Sequence, residues 1–255
     1  MYRNYLPVIL FLFHLVSTML FPNPRRQKIN YFLQYFARGM ILSMMVVCML
    51  PGIFKSSSFL PIACTFLPFI LLSLFERISA KSESMSEAER STFMKKLSRR
   101  QNIIFVLAVL LHTLSDTICI MDVPDINLLK SMVGYGIQKF LESSLIAIFI
   151  HLTEIRMPLT YSIVYMYALS APVGALLGMY TRGHTSVNCA DLKCGLTGVS
   201  FGLLFFNFVS ELLSGGIHHQ DVLHGKYDSM GLLAYGLGFF AMTVAGYSFT
   251  VLSKV

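Results

Sequence analysis

The sequence predicts an all-α protein that crosses a membrane eight times, and two observations carry that expectation. Of its 255 residues, 55% are hydrophobic and only 13% charged, whereas about a quarter of the residues of a soluble domain are charged; the mean hydropathy is +0.65. The apolar residues are also gathered into runs close to the ~20 residues that carry a helix across a bilayer. Within lipid every backbone N–H and C=O must find a protein partner, and a helix supplies one locally.

Taken in order, the first run is Tyr5 to Phe21. Arg3 ahead of it gives it the look of a secretory signal, but no small-x-small cleavage site follows, so it counts as a span. Phe32 to Phe54 is the second, closed near Pro51, and Phe59 to Phe75 is the third. The next segment, Arg77 to Gln101, is polar, mixed in charge and without an apolar stripe long enough for a core; it reads as a mobile loop or a surface helix. The remaining spans are Asn102 to Met121, Leu128 to Leu152, Leu159 to Tyr180, Gly195 to Leu213 and Met230 to Leu252. Residues 1–255 then form a single transmembrane domain, with 77–101 as its one sizeable loop.

The formal charge of +7 lies beside the apolar runs rather than in a nucleic-acid-binding motif, so nucleic acid is not an expected partner. An even number of spans puts both termini on one side. Arg25, Arg26, Lys28, Arg77, Lys81, Arg90, Lys95, Lys96, Arg99, Arg100, Arg156 and Lys226 fall on one face, against Arg3, Lys55, Lys130, Arg182, Lys193 and Lys254 on the other. The positive-inside rule assigns the richer face to the cytosol and both termini to the extracytoplasmic side, in a plasma or organelle membrane. Cys48, Cys64 and Cys119 lie in apolar runs, while Cys189 and Cys194 share a polar extracytoplasmic loop. A disulfide and a free pair are both open there.

A charged side chain at the centre of a span costs roughly 2.5–3.5 kcal/mol on insertion scales, so such residues face a bundle interior or an aqueous cavity and mark function. Here they concentrate in two neighbouring spans: His112 and Asp116 in "LLHTLSDTICI", and Gln138, Lys139 and Glu142 in "YGIQKFLESSLIAIF". Spacing of i, i+4 puts His112 with Asp116 on one helix face and Gln138 with Glu142 on another. Facing each other, they offer an imidazole, an amide and two carboxylates, a donor set that suits a divalent transition metal. An amide in place of a second imidazole or a thiolate holds the ion less tightly, which favours transit over storage. The other reading of the same residues is adhesion between helices through polar side chains; for Lys139 it is snorkelling toward the interface.

At these residues the sequence resembles the ZIP (Zrt-, Irt-like) family of divalent metal transporters, and the resemblance covers most of the chain. "HTLSD" is similar to the family's fourth-span motif of histidine, three residues and an acid, with Thr117 where glycine is usual. "QKFLE" is similar to the fifth-span motif, with Gln138 at a position that is often histidine. "ALSAPVGALLGMY" resembles the sixth-span Pro-x-Gly-Ala stretch, and "RGMILSMMVVCMLPGIF" resembles the second span, with Cys48 where many members carry histidine. "NFVSELLSGG" keeps Glu211 but lacks the usual histidine and proline. The resemblance implies an eight-helix ZIP-like bundle with an inverted repeat relating the first three spans to the last three, and a variable cytosolic loop after the third. It implies a metal held by His112, Asp116, Gln138 and Glu142, with Cys48 and Glu211 along its pathway. Members that hold two metals use further polar groups where this chain has Thr113, Lys139 and Ala171, so one ion is implied here, with the charge of Lys139 standing in for the second.

The expected function is transport of a divalent transition metal, zinc ahead of iron or manganese, toward the cytosol. The metal is cargo; no resident cofactor and no enzymatic activity are expected. The bilayer is the other partner, and a homodimer is allowed. One alternative is an intramembrane metal-dependent hydrolase that draws His218, His219 or His224 to the site. Another is a transport-inactive sensor or scaffold, suggested by the divergence around Thr117 and Ser210. The histidines of "GGIHHQDVLHGKYD" otherwise collect exiting metal or form solvated surface. Gly174 and Gly178 are spaced for close helix packing. His14, with no visible partner in the sequence, reads as a buried hydrogen-bonded histidine, and His151 as interfacial.

Overall fold

The computed structural model describes residues 5–19, 27–55, 59–81, 87–152, 157–183, 189–215 and 228–254. Among these residues nearly all are helical and no strand occurs. Helix α1 covers Leu6–Met19, and α2, Gln27–Ser43, continues through a π-helical turn, Met44–Met49, into α3, Leu50–Lys55. Then come α4 (Leu60–Lys81), α5 (Glu87–Asp122), α6 (Asp125–Leu152), α7 (Met157–Gly183), α8 (Cys189–Gly215) and α9 (Asp228–Lys254). In the π turn the N–H of Leu50 bonds to Met45 O, five residues back. Pro51 follows at once; it has no N–H to give, and its ring crowds the carbonyl four residues before it, a conflict that a widened turn relieves.

Among the described residues, six helical segments are long and apolar enough to cross a bilayer: Phe32–Phe54, Gln101–Asp122, Asp125–Ile150, Leu159–Arg182, Asp191–Ser210 and Met230–Phe249. The expected first and third spans correspond to shorter apolar helices, Leu6–Met19 and Leu60–Leu74. At 1.5 Å per residue α1 reaches only ~21 Å, short of the ~30 Å hydrocarbon core. Most of the polar segment 77–101 is helix rather than loop, because α4 runs on to Lys81 and α5 already begins at Glu87. Its Ala, Glu, Lys and Arg are strong helix formers, so the helix does not stop where the apolar run does.

Several helix pairs close where a glycine removes the Cβ. Between α2 and α9, Gly39 lies against Tyr235 O and Gly238 against Phe36 O, and between α4 and α8, Gly202 lies against Thr65 O. A Cβ on Gly174 would stand 2.7 Å from Leu114 O, and one on Gly178 2.7 Å from Met121 Cβ. The glycine pair picked out by its spacing therefore seats α7 on α5. Beyond these seams α5 packs on α8, α6 packs on α9, and α1 lies against α7 and α6. One apolar cluster includes Phe105, Val109, Leu145, Ile146 and Met242; a smaller one includes Ile120, Met121 and Tyr135. Along both α5 and α6 the polar residues of interest fall between these two clusters.

Candidate metal centre

The connection between α5 and α6 is only Val123 and Pro124, so the two helices run antiparallel and the second half of α5 meets the middle of α6. One atom each from His112, Asp116 and Glu142 lie within 4.8 Å of one another. His112 Nε2 is 3.3 Å from Asp116 Oδ2 and 3.3 Å from Glu142 Oε1. Those separations match the edge of a tetrahedron, which is about 1.6 times the bond length and hence ~3.3 Å for the ~2.0 Å bonds of zinc. The side chains of His112 and Glu142 are 3% and 0% exposed, that of Asp116 13%.

Gln138 joins them. Its Nε2 donates to Asp116 Oδ2 and to Glu142 Oε1, each at 3.0 Å. Its Oε1 is buried without a partner, and so are both ring nitrogens of His112. The 3.3 Å approaches of His112 to the carboxylates thus lack hydrogen-bond geometry. Of these three unused polar atoms, His112 Nε2 faces the two carboxylates, and an unpartnered buried polar group costs about 1–3 kcal/mol. A cation answers this at once by taking the imidazole lone pair. It also removes the reason for Gln138 to present its N–H groups, so the amide can turn its oxygen inward.

Lys139 reaches the far oxygen of Glu142 and the same Asp116 oxygen that faces His112. Its Nζ donates to Asp116 Oδ2 at 2.8 Å and to Glu142 Oε2 at 2.6 Å, with the side chain fully buried. This is an internal ion pair and not snorkelling. Thr113 Oγ1 donates to Glu142 Oε2 at 3.3 Å, and Ala171 is fully buried with no polar atom to add. With His112 neutral, Asp116, Glu142 and Lys139 sum to one net negative charge.

Sequence reasoning missed the support beneath Lys139. Its Nζ sits 5.5 Å over the ring of Tyr135, the Tyr135 hydroxyl pairs with Thr117 Oγ1 at 2.8 Å, and Thr117 Oγ1 also bonds Thr113 O at 2.7 Å. Thr117 thereby anchors the ring under the lysine. Positions 135, 138, 139 and 142 fall on one helical face, and that periodicity was the available signal.

Cys48, on the π turn, is packed against Gly246 and is not part of the triad. Glu211 is in the helical part of α8, but its side chain lies outside the described residues, as do the side chain of His151 and the segment holding His218, His219 and His224. Cys194 is a free thiol; the side chain of Cys189 is again outside the described residues. His14 is fully buried but not hydrogen-bonded as expected: both ring nitrogens lack partners. It stands edge-on to the rings of Tyr167, at 5.1 Å, and Tyr135, at 6.0 Å, because the neighbours it meets are aromatic faces from α6 and α7.

Among the described residues, six long apolar helices fit a multi-pass integral membrane protein, and His112, Asp116 and Glu142 form a possible metal-binding triad. No protein-family model matches the chain, and no curated protein matches it either.

Proposed function

We propose that the protein is a ZIP-like transporter that carries a divalent transition metal, zinc in preference to iron or manganese, through one intramembrane position toward the cytosol. The observation that carries this reading is the unfinished coordination at His112, Asp116, Glu142 and Gln138: His112 Nε2 stands 3.3 Å from an oxygen of each acid, and the imidazole nitrogens and the amide oxygen have no hydrogen-bond partner. Gln138 and Lys139 already bond α6 to α5 through Asp116, but the imidazole nitrogens and the amide oxygen take no part in that adhesion. Lys139 supports a single ion, since its ammonium already pairs with both acids, at Glu142 Oε2 away from His112 and at the Asp116 Oδ2 that faces it.

The glycine seams support an inverted repeat. Exchanging the first three spans with the last three turns a contact between the second and eighth into one between the seventh and third, and those are the seams α2–α9 and α4–α8. Transport then proceeds by small rigid movements that open the site to one side and then the other. Both termini are assigned to the extracytoplasmic side by the basic loops.

The test is uptake of a panel of divalent ions into liposomes holding the purified protein. Zinc should accumulate in wild-type vesicles and not with Glu142→Gln; an inert wild type would defeat the transport reading. Lys139 favours one second reading, a transport-inactive relative whose charged centre is fixed in place. Metal binding in solution without uptake in vesicles would select it.

A further inference from the structure

We infer that His14 is the acceptor that receives the Lys139 ammonium when a divalent cation displaces it from Asp116, which makes His14 a positioning residue for the metal-bound form; the inference rests on the metal-site reading above. The displacement follows from one crowded oxygen. Asp116 Oδ2 faces His112 Nε2 at 3.3 Å and accepts from Gln138 Nε2 at 3.0 Å and from Lys139 Nζ at 2.8 Å. A cation held between this oxygen and His112 Nε2 sets two positive charges beside the ammonium, and Lys139 is fully buried, with no solvent to withdraw into.

His14, on α1, borders the same ring as the ammonium. Lys139 Nζ is 5.5 Å from the centre of the Tyr135 ring, and the imidazole centroid is 6.0 Å from it; His14 also lies within electrostatic reach of Lys139 and Glu142. The imidazole is fully buried, and neither nitrogen has a hydrogen-bond partner. The hydroxyls around it are committed elsewhere. That of Tyr135 pairs with Thr117 Oγ1 at 2.8 Å, and that of Tyr167, from α7, accepts from Ser143 Oγ at 3.5 Å. Ser17 and Thr18 donate to carbonyls of their own helix, Phe13 O and His14 O. A neutral imidazole carries one N–H and one lone pair, and the lone pair is the acceptor that a displaced ammonium needs.

The two forms of the site then complement each other. In the metal-free form the unpartnered nitrogens of His14 weaken the fold, while Lys139 holds both acids. In the metal-bound form the flexible lysine stem turns past Tyr135, one imidazole nitrogen gains a charged donor, and Asp116 Oδ2 is left to the ion. Only a side chain moves, so α1 keeps its seat on α6 and α7.

The experiment is calorimetric zinc binding to the purified protein in detergent, for wild type, for His14→Phe, which keeps an aromatic ring without nitrogens, and for His14→Gln, which keeps an acceptor without the ring. His14→Phe should weaken binding by about 10- to 100-fold, the worth of a hydrogen bond to a charged group, and His14→Gln should bind nearly as wild type does. In a Lys139→Met background, where no ammonium needs an acceptor, His14→Phe should leave the affinity unchanged. Wild-type affinity in His14→Phe would overturn the role, as would an equal loss in both backgrounds. A loss in His14→Gln that His14→Phe does not share would also overturn it, marking an aromatic wedge. If Lys139→Met does not fold, the imidazole 15N signal of His14 in the wild type, identified by its loss in either His14 variant, decides. It should shift on zinc addition to that of a lone pair accepting a hydrogen bond, and an unshifted signal would overturn the proposal. A wild type that binds no zinc overturns the metal-site reading itself, whereas failure of the His14 role alone leaves wild-type binding in place.

Discussion

Replacing Lys139 with methionine tests whether the buried charges form a metal site or a fixed core. The variant keeps an unbranched side chain one atom shorter and removes an ammonium that bonds Asp116 at 2.8 Å and Glu142 at 2.6 Å. Two carboxylates then share a buried site with no counter-charge, and breaking such a pair costs about 3–5 kcal/mol. For a chain of this size that corresponds to a fall in Tm of roughly 6–20 °C. Protonating either acid relieves the repulsion, so the deficit should be present at neutral pH and shrink as the pH falls. A metal ion restores the missing positive charge. At zinc concentrations about 100 to 1,000 times Kd, binding returns ~2.7–4.1 kcal/mol, close to the loss. The assay is thermal unfolding in detergent, with and without zinc, for wild type and variant at two pH values. A variant that melts with the wild type, or one that zinc fails to rescue while it still folds, would refute the argument that these carboxylates face a cation position.

Asp116→Asn and Glu142→Gln, each of which preserves shape but removes a ligand charge, should weaken zinc binding by at least about 1.5–3 kcal/mol, read by calorimetry; wild-type affinity in both would remove these residues from the site. At the α2–α9 seam, where Gly39 abuts Tyr235 O, Gly39→Leu should lower the yield of folded, monodisperse protein far more than Gly52→Leu, whose position is open, as size-exclusion profiles would show. For orientation, an epitope inserted after Glu87 should be shielded from antibody in intact cells and one at Val255 accessible, if the protein resides in the plasma membrane; the opposite pattern there would reverse the direction of transport.

Much of the candidate centre was legible because charge within an apolar span is costly, so His112, Asp116, Gln138 and Glu142 stood out, and helical spacing set each pair on a face. For Lys139 the resemblance implied a charge beside Asp116 and Glu142, where the ammonium lies, whereas spacing alone left snorkelling open, because a lysine stem can lie along a helix in either direction and only the partner helix decides whether the ammonium turns inward. His14 was misjudged for a related reason. Its surroundings, Tyr135 and Tyr167, come from distant parts of the chain, and nothing near residue 14 announces an aromatic enclosure. The extension of α5 back to Glu87 was missed because apolar patterning ends at the membrane surface, whereas backbone hydrogen bonding, in a sequence rich in helix formers, continues past it.

The packing partners of α5 and α6 place the centre on a boundary. Although only two residues join these helices, α5 is seated mainly on α7 and α8, and α6 on α9. His112 and Asp116 therefore belong to one half of the bundle, and Gln138 and Glu142 to the other. An ion bound among them acts as a rivet between the halves. Because its bonds tolerate only a few tenths of an ångström, a slight slip of one half past the other would shear the tetrahedron and free the ion, with no ligand having to unfold or change rotamer. When the rivet is gone, the salt bridges of Lys139, anchored in one half and reaching Asp116 in the other, remain as the clasp that keeps the two in register.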